Sequence, residues 1–284
     1  MCMNYYSIDP FHCFTTPGFS WQAALRMTKV ELELLSDKDM YQMLESGIRG
    51  GLSVISERYA TANIPASPTY DPTQETNHLV YLDANNLYGF AMSQYLPTSN
   101  FRWVPDSLHH LINVETVPDD AEQGYIFDVD LEYPSHLHDT HNEYPLAPEK
   151  KTVTFSMLSV EHQRSLKLLQ RQKLIDSGAE FIESIKPLYH PTEKLIPNLY
   201  NKERYIVHYK NLKYYLKKGM KIINIHRIIS FKQTPWLRPY IEFNTVKRSK
   251  ATTDFQKSFF KLLNNSVFGK TCENIRLHRK LDLI

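Results

Sequence analysis

Residues 81–89 have the sequence Tyr-Leu-Asp-Ala-Asn-Asn-Leu-Tyr-Gly and overlap the mostly apolar run 78–82. A short apolar run of this kind predicts a buried β-strand, here one that ends at Asp83. A carboxylate at a strand end lies at an exposed rim, and Mg²⁺ prefers oxygen ligands of this type. The alternative is that Asp83 only begins the next turn, where aspartate is common, and that Tyr88 packs in the core.

A second segment, residues 261–269, has the sequence Lys-Leu-Leu-Asn-Asn-Ser-Val-Phe-Gly and belongs to a helix predicted over 253–266. Successive residues of a helix are about 100° apart around its axis, so its cationic and amide residues and one aromatic ring lie on one face, within an arc of about 100°. The members of this arc are Lys257, Lys261, Asn264, Asn265 and Phe268. The side expected to pack consists of Phe255, Phe259, Leu262 and Ser266. Lys261 would contact phosphates as a point charge, although an ordinary amphipathic surface helix has the same periodicity.

Both segments resemble motifs of the protein-primed family B DNA polymerases, which small bacteriophages, adenoviruses, linear plasmids and Polinton-type transposons encode. Residues 83–89 resemble the palm motif Asp-x-x-Ser-Leu-Tyr-Pro, with Asn86 in the serine place and Gly89 in the proline place. Residues 261–269 resemble the finger-helix motif Lys-x-x-x-Asn-Ser-x-Tyr-Gly, with phenylalanine in the tyrosine place. Residues 48–51 resemble a Tyr-x-Gly-Gly element, with isoleucine first. The sequences of residues 21–25 and 92–94 are most similar to those of the transposon branch of the family.

The resemblance implies an α+β fold made of a partial polymerase palm and fingers with an insertion like the terminal-protein region. It divides the chain into a linker and DNA-contacting lead-in at 1–75, a palm segment at 76–110, an insertion with returning strands at 111–235, and a finger-helix segment at 236–284. It also implies a fragment, which lacks the second palm carboxylate, the thumb and the exonuclease.

The resemblance further implies roles for individual residues. Asp83 would be the catalytic residue and metal ligand in a two-Mg²⁺ mechanism whose second carboxylate is not in this chain. Nucleotide-binding residues would be Ala84, Leu87, Tyr88, Lys261, Asn265 and Phe268, with Tyr88 as the gate against a 2′-hydroxyl. DNA-binding residues would be Arg49, Gly50, Gly51, Lys247, Arg248, Ser266 and Gly269.

The function implied is that of a DNA-directed DNA polymerase, which transfers deoxynucleotides in protein-primed DNA replication. Its partners would be a DNA primer-template, deoxynucleoside triphosphates and a terminal priming protein, with no membrane. The residues leave two other functions open. One is a metal-dependent nuclease that uses Asp128, Asp130 and Glu132, with His136, His138, Asp139 and His141 nearby; the plainer interpretation of this strand is an acidic sheet edge. The other is a non-catalytic, nucleic-acid-binding remnant.

Charge is distributed unevenly along the chain. Residues 1–160 contain 8 Lys and Arg against 21 Asp and Glu, whereas the remainder contains 25 against 10, so the net charges are −13 and +15. A basic half of this size is typical of phosphate binding, although it could also be a solvated surface. The basic and aromatic residues between 202 and 218 suit single-stranded nucleic acid, or equally a half-buried strand–helix unit.

The remaining patterns predict ordinary elements. Ser36 is the predicted cap of a helix carrying Met40 and Met43, and a long helix is expected over 160–176 with Gly178 as its stop. Strands are expected at 125–132, 205–209 and 221–231, with a short helix at 211–218. No apolar run reaches the length of a membrane span. Cys2, Cys13 and Cys272 are odd in number and widely spaced, which favours an intracellular, reducing compartment, and the resemblance points to the nucleus or a site of viral or transposon DNA replication.

Overall fold

A computed structural model of the chain describes residues 1–50, 52–177, 189–274 and 276. The helices of this part of the chain are α1 (Cys2–Tyr6), α2 (Thr16–Thr28), α3 (Lys38–Gly47), α4 (Leu87–Met92), α5 (His138–His141), α6 (Val160–Ser177), α7 (Tyr209–Lys217), α8 (Arg238–Ser249) and α9 (Asp254–Thr271). The strands are β1 (Leu96–Trp103), β2 (Gln123–Glu132), β3 (Glu149–Val153), β4 (Thr192–Ile196), β5 (Lys202–His208) and β6 (Lys221–Thr234). The described part of the chain therefore contains both helices and antiparallel strands, as expected for an α+β fold.

The chain forms two compact units. The first consists of Met1–Ile48, Glu57–Pro134 and Asn201–Ile284, and the second of Arg49–Ser56 and Ser135–Tyr200. None of the helices in the described ranges is long and apolar enough to cross a lipid bilayer.

A four-stranded antiparallel sheet in the order β1-β6-β2-β5 lies in the first unit. The strand β2 occupies an interior position, paired with β6 and β5. Every second residue is apolar, so one face of the strand is buried: Phe127, Val129 and Leu131 are inaccessible to solvent. Phe127 pairs with Val207 on one side and Ile228 on the other. The strands predicted at 125–132, 205–209 and 221–231 are confirmed, and so is the helix between the last two.

The helix α3 covers this sheet by packing Met40 and Met43 against Ile206, Ile229 and Phe231. Its cap is Asp37 and not the predicted Ser36, because the Asp37 carboxylate accepts the N–H groups of residues 39 and 40 at 2.8 and 3.0 Å. The Met40 bond, together with the Trp103 indole N–H at 3.1 Å, lowers the pKa of the Asp37 carboxyl.

A helical core brings together α1, α2, α4, α8 and α9. Its buried side chains include Tyr6, Phe19, Tyr240, Leu263 and Val267. The Thr253 hydroxyl caps α9 by accepting the N–H of residue 256 at 3.3 Å, and the helix extends five residues beyond the predicted 266.

The packing face predicted for α9 is wrong in part. Phe255 and Leu262 are 71% and 50% exposed, whereas Phe260, Leu263 and Val267 are buried. The sequence contains two apolar stripes on this helix, and periodicity alone does not say which one the neighbouring helices α2 and α8 cover.

The buried strand predicted at 78–82 is also wrong. Leu79, Val80, Tyr81 and Leu82 are 58–95% exposed and belong to no strand in the described part of the chain. A strand requires hydrogen-bonding partners for its backbone, and the nearest pairing is a single bridge between Asn63 and Asn77. Asp83 therefore follows an exposed segment without regular structure.

The second unit contains α5, α6 and the two-stranded antiparallel sheet of β3 and β4, in which Lys151 is paired with Lys194. The long helix predicted over 160–176 is confirmed as α6. Its predicted stop, Gly178, lies outside the described residues.

Candidate functional site

A cavity of about 340 Å³ lies between α4, α8 and α9 in the first unit. Its walls are formed by Ala84, Asn86, Leu87, Tyr88, Thr245, Arg248, Lys261, Asn264 and Asn265. The two segments singled out in the sequence, although far apart in the chain, thus form one concave site.

Most of the residues predicted to bind a nucleotide meet here. Ala84, Leu87, Tyr88, Lys261 and Asn265 line the cavity, as does Arg248, which was predicted to contact DNA. Sequence reasoning gave no role to three other wall residues: Asn86, Thr245 and Asn264. Asn86 occupies a motif position and Asn264 lies on the predicted face of the helix, so the sequence contained an indication for both. It contained none for Thr245.

Tyr88 and Phe268 form a stacked aromatic pair at the cavity. Their ring centroids are 4.1 Å apart and the ring planes differ by 11°. Phe268 is the sixth residue predicted to bind a nucleotide, and this contact joins it to the other five. Stacked rings of this kind present faces that suit a planar partner.

The backbone before α4 determines where the wall residues point. Asn86 adopts a left-handed conformation at φ 55°, which asparagine tolerates better than most residues. A Cβ atom on Gly89 would lie 2.4 Å from the Asn86 amide, so only glycine permits this close approach. Met92 is buried in the helical core, and the Arg238 Nε donates to the Ser93 carbonyl at 3.0 Å, which fixes the end of the helix.

A buried chain of hydrogen bonds lies behind the cavity. The Asn244 amide donates to the Asn264 side-chain oxygen at 2.8 Å, and the Tyr6 hydroxyl donates to the Asn244 oxygen. Burial raises the pKa of the Tyr6 hydroxyl, so this group remains a neutral donor. Asn264 is thereby held in one orientation, whereas its neighbour Asn265 is exposed.

Two cations give the cavity its electrostatic character. Among the described residues, no carboxylate forms an ion pair with Arg248 or Lys261. By contrast, Lys257 lies 3.5 Å from Asp254 on the same helix, and the Lys247 ammonium lies over the Tyr5 ring at 4.7 Å. Two unpaired cations among neutral amide and hydroxyl groups favour an anionic ligand.

Asp83 immediately precedes the wall residue Ala84 and is exposed. Within the described ranges, no three His, Cys, Asp or Glu side chains form a group that could hold a metal ion. No Asp or Glu is among the described residues that line the cavity, and Asp83 is the sequence neighbour of one residue that does.

The other residues predicted to bind DNA are divided between the two units. Arg49 and Gly50 belong to the second unit, and Gly51 lies outside the described residues. Ser266 is buried in the helical core, and Gly269 is exposed near the end of α9.

The acidic strand has a different environment from the one expected. Asp128 is fully buried and pairs with Arg204 at 2.8 Å and Arg227 at 3.0 Å. Asp130 accepts the Arg204 backbone N–H at 2.8 Å, a bond that lowers the pKa of this carboxyl, and it also contacts the His226 Nε2 at 2.7 Å. The interpretation of this strand as a sheet edge is wrong, because β2 is paired on both sides.

The basic and aromatic residues between 202 and 218 are also largely engaged within the fold. Lys202, Tyr205 and Tyr209 are buried, and the Lys213 ammonium contacts the Asp119 carboxylate at 2.7 Å. This arrangement is that of a half-buried strand–helix unit.

Comparison with known proteins gives a likeness of fold. No protein-family model matches the chain, and no curated protein matches it. Among solved structures, phi29 DNA polymerase in an orthorhombic crystal form superposes on 93% of this chain, with a TM-score of 0.50 and 13% sequence identity. The chain spans 38% of the length of that polymerase. Its fold is therefore similar to part of a DNA polymerase.

Proposed function

We propose that this chain is the nucleotide-binding part of a DNA-directed DNA polymerase of the protein-primed family B. The observation that carries the proposal is the cavity of α4, α8 and α9, where two distant segments meet. It combines a stacked aromatic pair with two cations that have no carboxylate partner among the described residues. The fold likeness to phi29 DNA polymerase supports the same class.

Five residues at the cavity then have roles in binding a deoxynucleoside triphosphate. Lys261 and Arg248 contact the phosphates, because charge-assisted hydrogen bonds to phosphate oxygens are among the stronger polar contacts. The Tyr88 and Phe268 rings lie against the sugar and base, and Asn265 donates its amide to the nucleotide. Tyr88 selects the deoxyribose because its ring leaves no room for a 2′-hydroxyl.

Asp83 fits one Mg²⁺ ion, since this ion is commonly held by one or two carboxylates together with substrate phosphates. When bound, the ion neutralises charge on the phosphates. Within the described ranges, no three His, Cys, Asp or Glu side chains form a group that could hold a metal ion, so we assign this chain's residues to binding and orientation. The DNA primer-template and a terminal priming protein are the further partners proposed.

The test is triphosphate binding by the full chain, measured by calorimetry with a deoxynucleoside triphosphate and Mg²⁺ in the absence of DNA. Lys261→Ala should raise the dissociation constant by about tenfold or more, because a hydrogen bond to a charged group contributes about 1.5–3 kcal/mol. Lys257→Ala is the matched control, since this lysine lies one turn away and pairs with Asp254. Equal effects of the two substitutions would refute the assignment.

A second candidate function is nucleotide and nucleic-acid binding without turnover. The absence of Asp and Glu from the described residues that line the cavity favours it, because a two-metal reaction requires more ligands than Asp83 alone provides. Primer extension by the full chain with Mg²⁺ separates the two functions: retained triphosphate binding with no extension supports binding alone.

A further inference from the structure

The second unit contains a cavity of about 500 Å³ that has no part in the proposed nucleotide site. Asn142, Glu143 and Tyr200 lie on its wall, and Tyr200 is 59% exposed. The backbone that carries this ring is held in place, because the Tyr200 N–H donates to the Asn198 side-chain oxygen at 3.1 Å. The Asn198 amide in turn donates to Glu149 at 2.7 Å. An exposed ring on a backbone that is held in this way is available to a ligand.

A cation of the strand β3 lies beside this ring. The Lys151 ammonium is 5.0 Å from the centre of the Tyr200 ring, and Lys151 is directly opposite Lys194 in the strand register. Directly opposed residues of an antiparallel pair project to the same face, and like charges there are destabilising. Lys151 has a carboxylate, Glu149, at 3.7 Å; in the described part of the chain Lys194 has none. An anion bound between the two lysines would relieve their repulsion.

We infer that this face of the second unit binds single-stranded nucleic acid, with phosphates on Lys151 and Lys194 and a base against Tyr200 at the cavity. Proteins that bind single strands combine cations that follow the backbone with aromatic rings on which bases stack. Asn142 and Glu143 offer an amide and a carboxylate to the edge of a base.

The charges favour this ligand over an acidic protein segment. Glu143 on the cavity wall and Glu149 beside Lys151 would repel carboxylates that entered alongside the ring. A nucleotide avoids this repulsion because its neutral base and its charged phosphate are separated in space. The inference uses no residue of the α4–α9 cavity, so it stands independently of the proposed function.

The experiment measures fluorescence anisotropy of a short labelled oligodeoxythymidylate with the full chain, without Mg²⁺ or triphosphate. Replacing both lysines, Lys151→Ala with Lys194→Ala, should weaken binding by at least about tenfold at low salt. It should also reduce the slope of log K against log salt by about 1.4, since each phosphate neutralised on a single strand contributes about 0.7. Tyr200→Ala should weaken binding by about tenfold with an unchanged slope, because stacking is not an ionic contact.

Lys150→Ala is the matched control, because this neighbouring lysine projects to the opposite face of β3. Equal losses from Lys150→Ala and from the lysine pair would overturn the inference, as would retention of wild-type affinity by the lysine pair and Tyr200→Ala. Competition by a polyglutamate peptide as effective as unlabelled oligonucleotide would also overturn it, in favour of a protein ligand. Circular dichroism of each variant verifies folding. Failure here leaves the Lys261 result unaffected, since that experiment contains no DNA.

Discussion

At the scale of single residues, the consecutive asparagines 264 and 265 show how one residue type serves two purposes. Asn264 is buried and bonded to Asn244, whereas Asn265 is exposed at the cavity. A buried polar group without a partner loses the free energy of its hydration. The first asparagine should therefore contribute mainly to stability, and the second mainly to ligand binding.

Asn264→Ala is expected to lower the free energy of unfolding by about 1–3 kcal/mol, because it leaves the Asn244 amide buried without this acceptor. Asn265→Ala should change it by less than about 0.5 kcal/mol, as for most exposed positions. Urea denaturation monitored by circular dichroism measures both values. Equal stabilities of the two variants would contradict the buried hydrogen-bond chain.

Tyr88→Ala tests whether this ring distinguishes sugars. Removing the ring opens space beside a bound ribose, so the ratio of ribonucleoside to deoxynucleoside triphosphate affinity should rise, in our expectation by about tenfold, or about 1.4 kcal/mol. Calorimetric titration with matched ribo- and deoxyribonucleotides measures the ratio. Phe90→Ala, on the same helix and 66% exposed, is the control. If Tyr88→Ala does not change this affinity ratio, Tyr88 has only a packing role and does not distinguish the two sugars.

At the scale of elements, α4 and α9 place one glycine each in contrasting surroundings. A Cβ atom at Gly89 would meet the Asn86 amide at 2.4 Å, but a Cβ atom at Gly269 would have nothing within 4 Å. Replacement of glycine by alanine should therefore disturb the cavity wall at position 89 and leave it intact at position 269.

Gly89→Ala is expected to displace the Asn86 side chain from the wall and to weaken triphosphate binding several-fold. Gly269→Ala should leave binding unchanged and raise the free energy of unfolding by up to about 1 kcal/mol, because alanine favours a helix more than glycine does. Calorimetry and urea denaturation measure the two effects. Unaltered binding by Gly89→Ala would mean that Asn86 has no influence on the site.

Sequence patterns predicted the elements β2 and α6 correctly. The alternation of Phe127, Val129 and Leu131 specifies a strand with a buried face. The same reasoning failed at 78–82, because an apolar run does not supply the strand with which it must pair. It failed again for the packing face of α9, where the neighbouring helices select one of two apolar stripes. The motif residues of the cavity were predictable from resemblance, whereas Thr245 lies on a helix with no motif and could be found only in three dimensions.

At the scale of the whole molecule, the charge asymmetry of the sequence is partly neutralised by folding. Cations of the basic half pair with carboxylates of the acidic half: Arg204 with Asp128, Lys213 with Asp119 and Arg276 with Glu45. The net charge of +15 in the second half therefore overstates the field that a nucleic acid would meet. Arg248 and Lys261 gain significance because they remain outside these pairs.

We expect the protonation of His208, at the junction of β5 and α7, to make the free energy of unfolding depend on pH. Burial, followed by the nearby Lys210 ammonium, lowers the pKa of His208 from 6.5 to about 4, although Asp119 opposes the shift. Because the folded-state pKa lies below the unfolded one, the unfolded chain takes up the proton first, and stability is lost as pH falls from about 6.5 toward 4.

Between pH 7.5 and 5, His208 should account for a fall of about 2 kcal/mol in the free energy of unfolding. His208→Gln should remove this part of the pH dependence, whereas His110→Gln, at an exposed position, should retain it. Urea denaturation at the two pH values provides the measurement. Identical pH profiles for wild type and His208→Gln would show that this ring does not titrate as the structure implies.

The residues that flank the longer segment of the second unit are joined to each other within the first. The Tyr133 N–H donates to the Asn201 side-chain oxygen at 2.7 Å, so the chain leaves and returns at nearly the same point. In topological terms, this segment is an insertion between the paired antiparallel strands β2 and β5, and the Tyr133–Asn201 hydrogen bond lies where it begins and ends. Since closure entropy grows only logarithmically, each doubling of loop length costs about 0.6 kcal/mol. Such a segment can be exchanged or enlarged in evolution while the sheet that carries it retains its register.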